Sequence, residues 1–215
     1  MTTVTNQLTF YTNPMSRGQT VRWMLEEVGE PYETEILDYG STMKAEPYLS
    51  VNPMGKVPAI RHNGKVVTEV AAICCYLADA FPAAGLAPPP SDRADYYRWI
   101  FFTSGPVEAA FSNKAAGWEP TPERQRMFGY GNYDLAIGTL EKALGGRDFI
   151  AADRFTAADL FVAANVNFML QFKLLEPTAV FTDYAARMTD RDAYRRARAI
   201  DGKLIAEMKA KESAE

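Results

Sequence analysis

Cysteine and histidine are nearly missing from this chain of 215 residues, which has two cysteines, Cys74 and Cys75, and one histidine, His62. Adjacent cysteines rarely bridge each other, so no disulfide framework is expected and a reducing, cytoplasmic setting fits. A single histidine excludes His-rich metal sites, and no metal is expected; it also makes a Ser-His-Asp triad improbable. No apolar stretch reaches the roughly 20 residues that span a bilayer. The first residues lack a charged segment followed by an apolar run, so no signal peptide is expected. Blocks of Lys and Arg are absent and the formal net charge is -4, which argues against nucleic acid as a partner. The basic residues between Arg187 and Lys211 are interrupted by acids and are read as a solvated helix face.

What is present is an ordinary globular composition, 47% apolar and 23% charged, long enough for one large or two small domains. The organising stretch is Tyr11-Thr12-Asn13-Pro14-Met15-Ser16-Arg17-Gly18. Leu8, Phe10 and Tyr11 form a short apolar strand before it. After it, Val21, Met24, Leu25 and Val28 recur at helical spacing, and Gly29 is placed to end that helix. Ser16 therefore falls at a helix N-terminus. Free N–H groups and the helix dipole there favour an anion such as a thiolate. The same residue with Gln19 also fits a plain capping box, S-x-x-Q.

Residues 32–37 make a second strand, completing a βαβ unit with a right-handed crossover. A short helix is expected around Lys44–Leu49. After Asn52-Pro53-Met54-Gly55-Lys56-Val57-Pro58, a strand begins at Ala59, Asn63-Gly64 signals a hairpin, and Lys65-Val66-Val67 returns. Thr68-Glu69 opens a helix with Val70, Ile73, Tyr76 and Leu77 as apolar members. The segment 82–92, with Pro88-Pro89-Pro90, reads as a linker. Beyond it the pattern is helical. Tyr96, Trp99, Ile100, Thr103 and Val107 share a face, with a kink at Pro106. A helix starts at Pro122 and carries Met127, Tyr130, Leu135, Ile137 and Leu140. Thr156-Ala157-Ala158-Asp159 is a capping signal ahead of Leu160–Leu170, and two further helices cover Thr182–Met188 and Asp190–Met208. The fold class is α/β plus all-α, with domains 1–81 and 93–215 joined by the linker.

This order resembles the cytosolic glutathione transferase family. The resemblance is carried by Phe10-Tyr11-Thr12-Asn13-Pro14-Met15-Ser16, by Asn52 to Ile60, by Thr68-Glu69 with Ala72-Ile73-Cys74-Cys75-Tyr76-Leu77, and by Phe155 to Asp159. It covers essentially the whole chain and looks most like serine-type, bacterial members. It implies a thioredoxin-like N-terminal domain (βαβ-ββα), an all-helical C-terminal domain and a homodimer. The implied activity is conjugation of the glutathione thiolate to hydrophobic electrophiles, a detoxification role, with glutathione-dependent peroxide reduction as a side activity. Glutathione is a co-substrate and no cofactor is implied. The contrasting reading is a glutathione-fold binding or interaction protein without turnover.

The resemblance also assigns residues. Ser16 would donate a hydrogen bond to the glutathione sulfur, with Tyr11 as the runner-up. The Val57 backbone, before a cis Pro58, would pair with the cysteinyl unit. Glu69 and the helix start behind it would receive the γ-glutamyl end; there the family's Glu-Ser pair is Glu69-Val70, one hydroxyl short. Lys44 and Lys56 are candidates for the glycyl carboxylate. The electrophile pocket, implied to lie between the domains, takes Tyr11, Phe101, Phe102, Phe111 and Trp118 as candidates. At helical spacing such aromatics also fit a core. Cys74 and Cys75 are read as buried small hydrophobes, and His62 as an exposed hairpin residue.

Overall fold

The computed structural model describes residues 7–213. Two compact units emerge, one running to Ala84 and taking in the chain from Arg191 onward, the other Gly85–Asp190. In the first unit, strands β1 (Leu8–Thr12), β2 (Glu33–Ile36), β3 (Ala59–His62) and β4 (Lys65–Thr68) form one sheet in the order β2-β1-β3-β4. The β1–β2 pair is parallel, and β1–β3 and β3–β4 are antiparallel. Helices α1 (Gly18–Val28) and α2 (Val70–Ala80) pack against each other. The thioredoxin-like arrangement expected from the sequence is what forms.

Local chemistry explains these boundaries. Gly29 adopts φ 77 and ψ 9 and returns its N–H to Leu25 O at 3.0 Å, the left-handed stop that glycine makes cheap. Asn63 and Gly64 both have positive φ, 49 and 81, as a two-residue turn between twisted strands demands. Alternation along β1 sends Phe10 and Tyr11 to opposite faces. The Arg22 guanidinium of α1 lies 5.0 Å over the Phe10 ring. Tyr11 instead joins Leu37, Met43, Tyr48, Val51 and Ala59, with Val57 against them. Around Lys44–Leu49 the expected helix is replaced by two 3-10 turns, Thr42–Lys44 and Tyr48–Ser50. Pro47 lies between them and follows a cis bond, and proline offers no N–H to a continuous helix.

The last helix, α8 (Asp192–Glu212), packs on α1. It belongs by contact to the first unit, although its place in the sequence groups it with the helical segment. Glu27 of α1 receives Arg191 through two hydrogen bonds, 2.6 and 2.7 Å, and Trp23 stacks edge-on with Tyr194 at 4.9 Å. Deeper, Arg22 Nε meets Asp201 Oδ1 at 2.9 Å, with both side chains almost fully buried.

The second unit holds α3 (Ala94–Phe102), α4 (Glu108–Ala115), α5 (Tyr133–Leu144), α6 (Ala157–Gln171) and α7 (Ala179–Thr189). The face expected of Tyr96, Trp99, Ile100, Thr103 and Val107 is buried. Pro106 is absorbed by a π-helical turn, Thr103–Val107, that joins α3 to α4. No long helix starts at Pro122. A 3-10 turn, Gln125–Met127, is followed by Gly131 at φ 67, and Asn132 caps α5 by accepting from Leu135 N at 2.8 Å. Met127 and Leu135 consequently face solvent. The Thr156 cap forms as expected. Asp159 accepts from Thr156 N at 3.0 Å and, buried, also from Ile150 N at 2.7 Å and the Tyr184 hydroxyl at 3.0 Å.

Candidate active site

Strand register brings distant segments to one end of the sheet. Tyr11 lies beside Glu35 and Ala59, and Ala59 beside Thr68. The chain leaving β1 at Asn13, the chain entering β3 through Val57-Pro58 and the chain leaving β4 at Glu69 therefore share that end. Crevices outside the carboxyl ends of parallel strands are the usual place for ligands in open α/β sheets.

The turn after β1 is built by Asn13, which is 1% exposed. Its Nδ2 donates to Leu37 O at 2.9 Å and its Oδ1 accepts from Met15 N at 3.0 Å. The second Asn-Pro-Met triplet repeats the device: Asn52 Oδ1 accepts from Met54 N at 3.1 Å, and Nδ2 donates to Lys56 O at 2.7 Å. Such side-chain turns are what Asn before Pro favours. The repeated triplet was the sequence signal for both anchors, which motif spacing alone did not single out.

Ser16 is half-buried. Its hydroxyl donates to Asn13 O at 2.6 Å, and its Oγ accepts from Gly18 N at 2.9 Å. The expected Ser16–Gln19 capping box does not form. Gln19 Nε2 goes to Pro14 O at 2.7 Å, and Arg17 occupies the N-cap position. The Tyr39 hydroxyl closes the turn from the loop after β2, donating to Met15 O at 3.2 Å. Gly18 has to be glycine: a Cβ there would lie 1.9 Å from Thr12 Oγ1.

Tyr11 is 4% exposed. Burial, partly opposed by Arg61, pushes its phenol above the usual tyrosine range. Its ring tilts against Tyr48 at 5.6 Å. Tyr11 is thus packed as part of a core cluster.

Val57-Pro58 is cis, as the resemblance implied. The preceding loop is pinned by Tyr48, whose hydroxyl donates to Lys56 O at 2.5 Å. Lys44 also serves this loop, its Nζ donating to Gly55 O at 2.6 Å and Met54 O at 3.2 Å; an ammonium has three donors, so one remains. The Lys56 side chain is exposed. Glu69 adopts φ 65 and ψ 120, and α2 begins after it without a side-chain cap. A non-glycine residue in that conformation carries strain of about 1–3 kcal/mol and is a feature of ligand sites. Nothing in the sequence signalled it. Val70 is half-buried at the first position of α2.

The aromatic candidates of the second unit each find a different ring. Phe101 is exposed and neighbours Tyr97, Phe102 meets Trp99, Phe111 is 2% exposed against Phe168, and Trp118 meets Phe128. Phe111 is core, the outcome its helical spacing also allowed. A cavity of about 480 Å³ in this unit is lined by Asp95, Arg147, Asp148 and Phe149 among others, and by none of those four. His62 is not exposed. Its Nδ1 lies 2.9 Å from the Tyr76 hydroxyl, its ring leans on Phe81, and burial lowers its pKa. Cys74 is fully buried, which raises its thiol pKa far above the usual range. Among the described residues, no cluster of His, Cys, Asp and Glu is arranged to hold a metal ion, and no helix is long and apolar enough to cross a membrane.

Comparison with known proteins agrees with this geometry. Residues 15–80 match the glutathione S-transferase N-terminal domain. Glutathione S-transferase 1 of Schizosaccharomyces pombe is 29% identical over 157 residues, which is 67% of this chain and 68% of that protein. A glutathione transferase structure from Methylococcus capsulatus superposes with a TM-score of 0.75 at 26% identity, covering 91% of this chain and 98% of that one. A sphingomonad glutathione S-transferase complexed with glutathione does so with 0.71 at 27% identity, covering 90% and 98%. The Asn13–Ser16 turn, the cis Val57-Pro58 loop and the strained Glu69 thus lie at one end of a thioredoxin-like sheet, in a chain whose residues 15–80 match the glutathione S-transferase N-terminal domain and whose fold is similar to that of glutathione transferases.

Proposed function

We propose that Ser16 stabilises the thiolate of glutathione for attack on hydrophobic electrophiles, in the manner of a serine-type, bacterial member of the family. The chain is a glutathione transferase. The observation that carries the role of Ser16 is the over-supply of donors at Asn13 O. That carbonyl has two lone pairs, yet it receives Ser16 N at 3.0 Å, Ser16 Oγ at 2.6 Å and Thr12 Oγ1 at 3.3 Å. The Ser16 proton turns to a sulfur without leaving the carbonyl bare. Meanwhile the Gly18 N–H holds the oxygen in place, and a hydroxyl that accepts a hydrogen bond is the stronger donor.

The remaining contacts follow from the same end of the sheet. The uncapped first turn of α2 offers N–H groups to the γ-glutamyl carboxylate, with Glu69 beside it. The Val57 backbone extends toward the cysteinyl unit as an added strand does. Lys44, through its third donor, and Lys56 face the glycyl carboxylate. A free thiol with pKa near 8.5 is only a few per cent thiolate at neutral pH, and its nucleophile is the thiolate. One hydrogen bond to a charged group is worth about 1.5–3 kcal/mol, or about one to two units of thiol pKa. The enzyme works in the cytoplasm as a two-fold homodimer.

The test is a panel of electrophiles and hydroperoxides assayed with purified protein and glutathione, beside a direct ultraviolet titration of the bound thiolate. Ser16→Ala is expected to raise the bound thiol pKa and lower turnover at neutral pH, while Tyr11→Phe does much less. A larger effect from the tyrosine change would reverse the assignment. Light scattering that reports the 23.9 kDa monomer would remove the dimer.

A further inference from the structure

The crowded carbonyl of Asn13 has a second consequence. Resting on the role proposed for Ser16, we infer that Thr12 and Asn13 are positioning residues that let the Ser16 proton leave for the sulfur, Thr12 Oγ1 taking over the place on Asn13 O that Ser16 vacates. Thr12 is 1% exposed and its hydroxyl donates to Asn13 O at the long distance of 3.3 Å, while Ser16 holds the same oxygen at 2.6 Å. A contact of 3.3 Å is beyond the usual range for O–H···O, whereas 2.6 Å is a full bond. Once Ser16 turns away, the same acceptor is open to Thr12 at full strength. Without Thr12, only the Ser16 N–H would remain on that carbonyl, and the exchange would weaken a buried acceptor's bonding.

The geometry limits where else these groups can go. Gly18 presses against Thr12, its missing Cβ leaving room for Oγ1, so the threonine hydroxyl has little freedom of its own. The Asn13 side chain, bonded to Leu37 O and Met15 N, fixes the carbonyl that both hydroxyls share. No bond is made or broken in the step. One hydroxyl proton rotates from a carbonyl to a thiolate, and a second tightens on the carbonyl behind it.

Thr12→Val keeps the shape and removes the hydroxyl. It is expected to raise the pKa of bound glutathione and to lower kcat at neutral pH by about three- to tenfold, one ordinary hydrogen bond, with KM for glutathione little changed. Thr12→Ser is expected to restore both. The decisive comparison is a double-mutant cycle read on the pH profile. In a Ser16→Ala background no proton has to leave Asn13 O, so adding Thr12→Val should not move the thiol pKa further. An additive shift, or a Thr12→Val protein with an unchanged pH profile, would overturn the exchange. If Ser16→Ala itself leaves the thiol pKa where it was, the failure lies in the role of Ser16. Thermal unfolding of each variant identifies any that lose activity by losing the fold, and for those Thr12→Ser carries the test: a pH profile unlike that of the parent protein overturns the exchange.

Discussion

Replacing Asp201 by asparagine removes one half of the charge pair at the heart of the first unit. Arg22 and Asp201 are each 2% exposed. The guanidinium reaches the carboxylate through Nε at 2.9 Å, and its other contacts are neutral: the Tyr32 hydroxyl at 3.2 Å and Thr34 Oγ1 at 3.1 Å. Arg22 Nη2 and Asp201 Oδ2 have no hydrogen-bond partner among the described residues. Burial raises the Asp201 pKa while Arg22 lowers it, so the cost of desolvation opposes the attraction within the pair. The pair is therefore a weak net contributor that is nonetheless dangerous to break, because arginine cannot shed its proton. Asp201→Asn should destabilise by about 3–5 kcal/mol, the range for a buried charge left without its partner, a large part of a total of about 5–15 kcal/mol. Replacing both residues with apolar side chains of similar volume should be neutral or stabilising. Urea unfolding of the single and double variants measures both effects. A loss under about 1 kcal/mol for Asp201→Asn, or a double replacement as damaging as the single one, would refute the reasoning.

Val70→Ser restores a hydroxyl at the start of α2 and should tighten glutathione binding by up to about 1.5–3 kcal/mol with the chemical step unchanged; calorimetry beside turnover at saturating glutathione reads both, and unchanged affinity would show that another group already holds the carboxylate. Gly18→Ala, a change that elsewhere in a helix gains about 1 kcal/mol, should here lower the thermal midpoint, because the new Cβ would meet Thr12 Oγ1 at 1.9 Å; adding Thr12→Ala should recover most of the loss. Asn63 Oδ1 accepts from Gln7 N, which turns its amide N–H toward His62 Nε2 at 3.1 Å and makes that nitrogen an acceptor. With its pKa lowered from 6.5 chiefly by burial, His62 contributes stability that is present above pH 6.5 and lost as pH falls through the folded value, by up to about 1.4 kcal/mol per pH unit. His62→Gln should flatten that slope in denaturant titrations between pH 5 and 7.

The devices legible in the sequence are those that close within a few residues. Gly29 stops α1, Asn63-Gly64 turns the hairpin, and Thr156 with Asp159 caps α6. Each acts on its neighbours' backbone, so spacing and residue type suffice. The alternation of Phe10 and Tyr11 was equally visible as a strand, but which face each would take depends on what packs there. Tertiary structure decided that Tyr11 would be core, that His62 would be buried under Phe81 and Tyr76, and that α8 would close on α1 through Arg191 and Asp201 rather than stay with the helices before it. It also turned Ser16 from the expected capping box into a hydroxyl held between Gly18 N–H and a carbonyl with more donors than lone pairs. The Ser16 partners are two and three residues away, but the placements of His62 and α8 rest on partners from 14 to 179 residues apart, and Glu69 has a backbone strained by its surroundings. Periodicity and propensity carry no information about such encounters, because they describe only how a segment behaves before it has met the rest of the chain.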